Sequence, residues 1–190
     1  MLEDVNEAHL ATHIIASEKG NSMRRTPKLM IGMCHTGNIV SVDWLTESCK
    51  AKQVLPADNF LLVNDKKFEK KCNFEMRSAL ESSAELRKKG KKVLSGWSVH
   101  VCKGVAGEKA PPEQEMKLIV EHAGGVWTPS LSQKKLADVD LSKIVIITSD
   151  PEVQKQASVK PVKNVLDKGA KKATTSWLFD TLMRQEVKFD

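Results

Sequence analysis

The stretch with the most chemical promise is Arg24-Arg25-Thr26-Pro27-Lys28, set just ahead of the apolar run Leu29-Met30-Ile31. Thr26 suits a helix N-cap and Pro27 a first helical position, so the spacing predicts a helix that starts there. Helix starts carry partial positive charge and normally gather acidic side chains, yet this one gathers three cations. Crowding of that kind is stabilised when an anion sits among the charges. The unpaired N–H groups of a helix start favour such an anion, and Lys28 adds a mobile point charge. A phosphate monoester, carrying about −1.5 to −2 charge near neutral pH, is a fitting candidate. From the residues alone, an ordinary solvated cationic face is the competing reading.

Other chemistry-bearing residues do not assemble into a site. His9 and His13 in HLATH have the i, i+4 spacing of a zinc helix but lack the glutamate of H-E-x-x-H. They also run into a β-branched stretch, where the two side chains would not converge. Cys34, Cys49, Cys72 and Cys102 are scattered, with no C-x-x-C pair, and read as reduced thiols of a cytoplasmic or nuclear protein. GVAGEKA lacks the spacing and the closing Ser/Thr of a phosphate loop. Cys34 and His35 are neighbours with no evident third partner, and no acid–base pair stands out. Neither catalysis, nor a metal, nor a cofactor is expected. With 41% apolar residues the composition is that of a globular chain, and no apolar run approaches the ~20 residues of a membrane span. The acidic N-terminal stretch has neither the basic nor the apolar region of a signal peptide.

The net charge of +6 is unevenly placed. Residues 1–58 carry 6 basic and 7 acidic groups and residues 93–190 carry 14 and 12, whereas residues 59–92 carry 10 and 5. Most of the excess therefore falls in a candidate linker that ends in RKKGKK, residues 87–92. Three readings stand for that cluster: a solvated hinge, a nuclear-import signal, or a weak contact to a nucleic-acid backbone.

The elements that must position these residues come as a repeat. ATHIIAS is followed by VDWLTESCKA, and KIVIITS by TSWLFDTLMR; Ile14 to Trp44 spans 30 positions and Ile146 to Trp177 spans 31. Each short β-branched run suits a buried parallel strand, and each W-L-x-[acid]-[Ser/Thr] motif opens a helix. In the first of these helices Val42, Leu45 and Cys49 make the apolar stripe. The two tryptophans read as core anchors. The second copy predicts a strand over residues 96–102, a loop KGVAGEKAPP, and a helix in EQEMKLIVEHAGG closed by glycines. A short strand in VWTPS, a strand in KIVIITS and a short helix or turn over 164–169 follow, then the W-L helix. Phe74, Leu80, Ala84 and Leu86 have helical spacing and predict a linker helix ending near Gly90. The expected organisation is a first repeat over 1–64, a linker with a helix over 65–92, and a second repeat over 93–190. The fold class is α/β, each repeat a four-stranded, mostly parallel sheet flanked by helices. Trp97 precedes Trp177 by 80 positions, while only 43 residues precede Trp44, so roughly 37 positions of the first copy are expected to be missing. They would hold its first strand and first helix.

The glycine turn after the helix, the β-branched strand and the W-L helix, in this order and spacing, resemble the BRCT domain. The pair with a helical linker resembles the tandem BRCT modules that bind phosphoserine peptides in the DNA-damage response, and the resemblance covers nearly the whole chain. It implies a nuclear adaptor whose partner is a phosphorylated protein or peptide, a phosphorylated histone tail among the candidates, with DNA contact secondary. It further implies that Lys28, with the helix start capped by Thr26, holds the phosphate, and that Arg25 reads the peptide beyond it. Met30, Pro111 and the end of the last helix around Arg184 fall near the family's groove for the peptide's third following residue; core packing is an equal reading for Met30. The family's Ser/Thr-Gly phosphate donors fall in the part expected to be missing. The alternative function is a BRCT scaffold that binds protein or DNA without phosphate.

Overall fold

The computed structural model describes residues 4–17, 22–106, 110–132, 136 and 139–189. The chain divides into two compact units, the first Met1–Lys92 with Leu182–Glu186, the second Val93–Thr181 with Val187–Asp190. Residues 107–109 of the expected loop between the second repeat's first strand and helix lie outside the described residues.

In the first unit, strand β1 (Ile14–Ser17) pairs in parallel with β2 (Ile39–Ser41), Ile14 opposite Ile39 and Ile15 opposite Val40. Between them runs helix α1 (Pro27–Met33), whose residues from Leu29 onward are all buried. Its close seat on the sheet depends on Gly32. A Cβ there would collide with Ile14 Cγ1, so any side chain would force the strand residue or the helix to shift. Helix α2 (Val42–Ala51) follows β2 directly. It departs from the expected stripe: Cys49 is exposed, and Ser48 is the buried residue. Ser48 turns inward because its Oγ accepts the Leu55 N–H at 3.2 Å. Two helices then occupy the linker region, α3 (Lys66–Cys72) and α4 (Met76–Lys88). The buried stripe of α4 is Met76, Ala79, Leu80 and Ser83 rather than the expected set, which started from Phe74. Gly90 follows it with φ of +64°.

The second unit is a four-stranded, all-parallel sheet in the order β4-β3-β5-β6, built from β3 (Ser98–Val101), β4 (Val126–Trp127), β5 (Ile144–Thr148) and β6 (Lys171–Thr174). Every residue of β5 is buried, as a central strand covered on both faces requires. Helix α5 (Glu113–His122) buries Met116, Ile119 and Val120 and ends at Gly124, whose φ of +85° is the left-handed stop expected there. The lysine-bearing stretch after β5 is helical, in α6 (Val153–Ala157) and α7 (Lys160–Leu166). α7 starts four residues earlier than the expected helix or turn, because Val162 and Val165 supply its buried face. Helix α8 (Thr175–Arg184) follows β6 as α2 follows β2.

The two tryptophans play the same part in each repeat, though not as buried anchors. Both stay partly exposed. Trp44 donates its indole N–H to the Leu55 carbonyl at 2.8 Å and stacks on His13 at 4.2 Å. Trp177 donates to the Lys188 carbonyl, again eleven residues on, and stacks on Phe189 at 4.7 Å. Each ring thus clips the segment after its helix.

Candidate functional site

The start of α1 is built as the residue types imply. Thr26 has extended backbone (φ −118°, ψ 157°), its Oγ1 accepts the Leu29 N–H at 3.2 Å, and Pro27 occupies the first helical position. Arg24, Arg25 and Lys28 are exposed, and the first turn of the helix has no acidic residue.

What fixes the segment ahead of this helix is Asp65, a residue the sequence reading did not single out. Its carboxylate accepts the Ser22 hydroxyl at 2.8 Å and the Met23 N–H at 2.9 Å, while the other oxygen caps α3 through the Phe68 N–H at 3.0 Å. Burial pushes the Asp65 carboxyl up, but the N–H groups of Phe68 and Met23 and the Ser22 hydroxyl outweigh that and hold it below its ordinary value. Met23 itself is buried. Arg24 and Arg25 therefore sit between two anchors, the Asp65 bonds behind and the Thr26 cap ahead. Local sequence gave one signal for Asp65: it stands at the N-cap position of α3. Its link to Ser22, 43 residues away, has none.

The far end of α1 is fastened to α4. Ser83 donates to the Met33 carbonyl at 2.6 Å and accepts Arg87 Nη1 at 2.6 Å. Lys92 Nζ lies 3.0 Å from His35 Nε2, and burial lowers the lysine's pKa. Cys34 closes the helix as a buried thiol, pushed up to about 11 by burial, and bonds to the Met30 carbonyl and to Gln185. Cys34 and His35 are thus structural neighbours, with a thiol too weakly acidic to act as a nucleophile at neutral pH.

Met30 is 2% exposed, on the inner side of α1, and burial favours the core reading for it. Arg184 donates Nε to the Asn73 carbonyl at 2.9 Å. Pro111 is half-buried, two residues ahead of α5. In the basic cluster, Arg87 bonds to Ser83, Lys88 to Glu85 at 2.7 Å and Lys92 to His35. Three of its five cations are thereby drawn into contacts within the first unit. Near Lys28 lies the exposed Asp4 carboxylate; hydrogen bonds from the Asn6 backbone and side chain lower its pKa, with a smaller contribution from the Lys28 charge. Among the described residues no group of three or more metal-ligating side chains occurs, and no helix is long and apolar enough to cross a membrane.

This architecture is that of a tandem BRCT pair. The BRCT5-BRCT6 domains of Brc1 from Schizosaccharomyces pombe superpose with a TM-score of 0.73 over 96% of this chain and 82% of that one, at 24% identity. No family model matches the chain. Sequence comparison finds relatives among mediators of the DNA damage checkpoint and BRCT-containing proteins. The human mediator of DNA damage checkpoint protein 1 is 32% identical over 121 residues, 64% of this chain. Its mouse counterpart is 33% identical over 132 residues, 69% of this chain. BRCT-containing protein 1 of S. pombe is 27% identical over 93% of this chain. The chain spans 5%, 7% and 20% of the lengths of these three relatives.

Proposed function

We propose that this chain is a phosphoserine-peptide-binding adaptor of the DNA-damage response, working in the nucleus. Phosphate is held at the start of α1 by Lys28 beside the Thr26 cap, and Arg25 contacts the peptide beyond it. The partner is a phosphorylated protein, a phosphorylated histone tail being one fitting case. The observation that carries this reading is the R-T-P-K segment: a capped, proline-started helix whose cations stay exposed while the chain behind them is pinned by Asp65. Relatives that carry checkpoint names support the setting. Pro111 and Arg184 belong to the proposed peptide contacts; Met30 supports them from the core.

A DNA-binding role is secondary, since Arg87, Lys88 and Lys92 of the basic cluster already have partners in the protein. The division into a repeat over 1–64, a linker over 65–92 and a repeat over 93–190 is part of the proposal.

The test is a calorimetric titration of this chain with a phosphoserine peptide and its unphosphorylated twin. One charge-assisted contact is worth about 1.5–3 kcal/mol, so a preference of about ten- to a hundredfold for the phosphorylated form is expected. Equal affinities sink the reading. A steep salt dependence that tracks residues 87–92 would favour nucleic acid instead.

A further inference from the structure

The second repeat has a cavity where the first has its candidate anion site. Aligned on Trp44 and Trp177, Thr26 falls opposite Val159 and Lys28 opposite Pro161, and Thr26 and Val159 are the N-caps of their helices. Val159 and Pro161 line a cavity of about 400 Å³ that lies against the end of β3, a volume in the range of small-molecule sites. The pocket is made ready by Gln156, a buried side chain that accepts the Ser149 N–H at 2.8 Å and donates to the Lys103 carbonyl at 3.2 Å.

The walls are mainly apolar, with Ser130 and Ser132 among them. Leu131 and Val162 are buried, and Val159 stands at the mouth with about half its surface exposed (51%). The Cys102 thiol, pushed up to about 11 by burial, stays uncharged. Besides Gln156, a second lining group has a fixed polar role. His100 Nδ1 lies 2.7 Å from the Thr128 carbonyl, which can only accept, so Nδ1 carries the proton and Nε2 keeps its lone pair. Burial lowers the pKa of this ring, against a smaller upward pull from the Thr128 carbonyl, which keeps it neutral near pH 7. No described residue donates to Nε2. At the rim, Lys103 lines the cavity and Lys160 adjoins Pro161, both exposed.

We propose that this cavity takes the indole of a tryptophan side chain from an acidic segment of a protein partner. The flat apolar ring fits walls of leucine, valine, proline and a neutral thiol. Its N–H supplies the donor that His100 Nε2 lacks. Acidic residues flanking the tryptophan complement Lys103 and Lys160. The second repeat thus reads an aromatic residue where the first repeat presents cations, and this site stands whether or not the first repeat holds phosphate.

The test titrates indole into the isotope-labelled full chain and follows amide shifts by NMR. Saturable shifts are expected at Leu131, Val159 and Val162. 1-Methylindole, of similar shape without the N–H, should bind about tenfold more weakly. Val159→Asp places a favoured cap residue at an exposed position, so the fold persists; the charge at the mouth should abolish the shifts. His100→Phe should erase the preference for indole over 1-methylindole. Lys28→Met should change none of these results, which separates failure here from failure of the phosphate reading. Equal binding of the two indoles overturns the proposal, as do shifts that survive Val159→Asp. So does the absence of saturable shifts below about 10 mM indole.

Discussion

At the start of α1, Thr26 caps the helix with its hydroxyl, and Asp65 pins the two residues before Arg24. At the equivalent start of α7, Val159 makes no cap bond, and a proline stands where α1 has Lys28. The two helices share a place in the repeat, a length of seven residues and a parallel strand on either side. They differ in what they offer a ligand: exposed cations in one, an apolar wall in the other. A repeat can therefore keep its packing while the chemistry at one helix start is exchanged. The packing resides in buried residues such as Leu29 and Ile31, or Val162 and Val165; the chemistry resides in the two or three residues before them.

The largest effect should come from removing the pin. Asp65→Ala loses the α3 cap and the bonds to Ser22 and Met23 together. A cap is worth about 1 kcal/mol and each further charge-assisted bond about 1.5–3 kcal/mol before relaxation. A loss of about 3 kcal/mol in chemical denaturation is expected, with weaker peptide binding because Arg24 and Arg25 lose their rear anchor. The pH dependence has a definite sign. The folded-state pKa of Asp65 is depressed, so its contribution is full above the unfolded value of about 3.9 and fades as pH falls through the lower folded value. An unchanged acid-unfolding profile in Asp65→Ala would show that Asp65 does not hold this segment.

Next comes the charge itself. Lys28→Met should lower affinity for a phosphoserine peptide about ten- to a hundredfold, with the melting temperature unchanged because the side chain is exposed. Retained discrimination between phosphorylated and unphosphorylated peptides would place the phosphate elsewhere. Placing the cations on the second repeat sharpens the contrast. Val159→Thr with Pro161→Lys rebuilds the T-x-K pattern on α7, and should remove indole binding while the new cap adds about 0.5–1 kcal/mol of stability. Thr26→Ala should subtract a similar amount, about 1 kcal/mol. If the two changes do not have opposite signs, the helix starts are not equivalent.

Much of this was legible in the residues, and the parts that were not share a cause. The helix at Pro27, its cap, the parallel strands and the glycine stop at Gly124 follow from local propensities, which a single segment displays. The tryptophans look like core anchors because their type is usually buried; their partial exposure reflects a second role, clipping a carbonyl eleven residues downstream. Helix α7 was obscured by lysines at Lys160 and Lys163, since only Val162 and Val165 mark its buried face. The Asp65 tie joins positions 43 apart, and no local pattern encodes a contact of that separation. The cavity at His100 is likewise assembled from four separate segments, and its contrast with Lys28 emerges only once the two repeats are aligned.

The smallest expected effect tests the surroundings of the cationic helix start. Asp4 is exposed, and its carboxylate already feels the Lys28 charge. It competes, weakly and through solvent, with any incoming anion. Asp4→Asn keeps the bond to the Asn6 N–H, because an asparagine oxygen accepts equally well, but removes the competing charge. Phosphopeptide affinity should then rise by about twofold at low salt and by less at physiological salt, where charges about 8 Å apart are largely screened. The matched change on the second repeat is Lys103→Gln, which should leave indole affinity within about twofold, since a neutral probe gains little from a rim cation. A salt-dependent rise at one helix start and none at the other would show that the two sites are read by different forces. Equal responses would mean that the cations around Lys28 serve only as a solvated face.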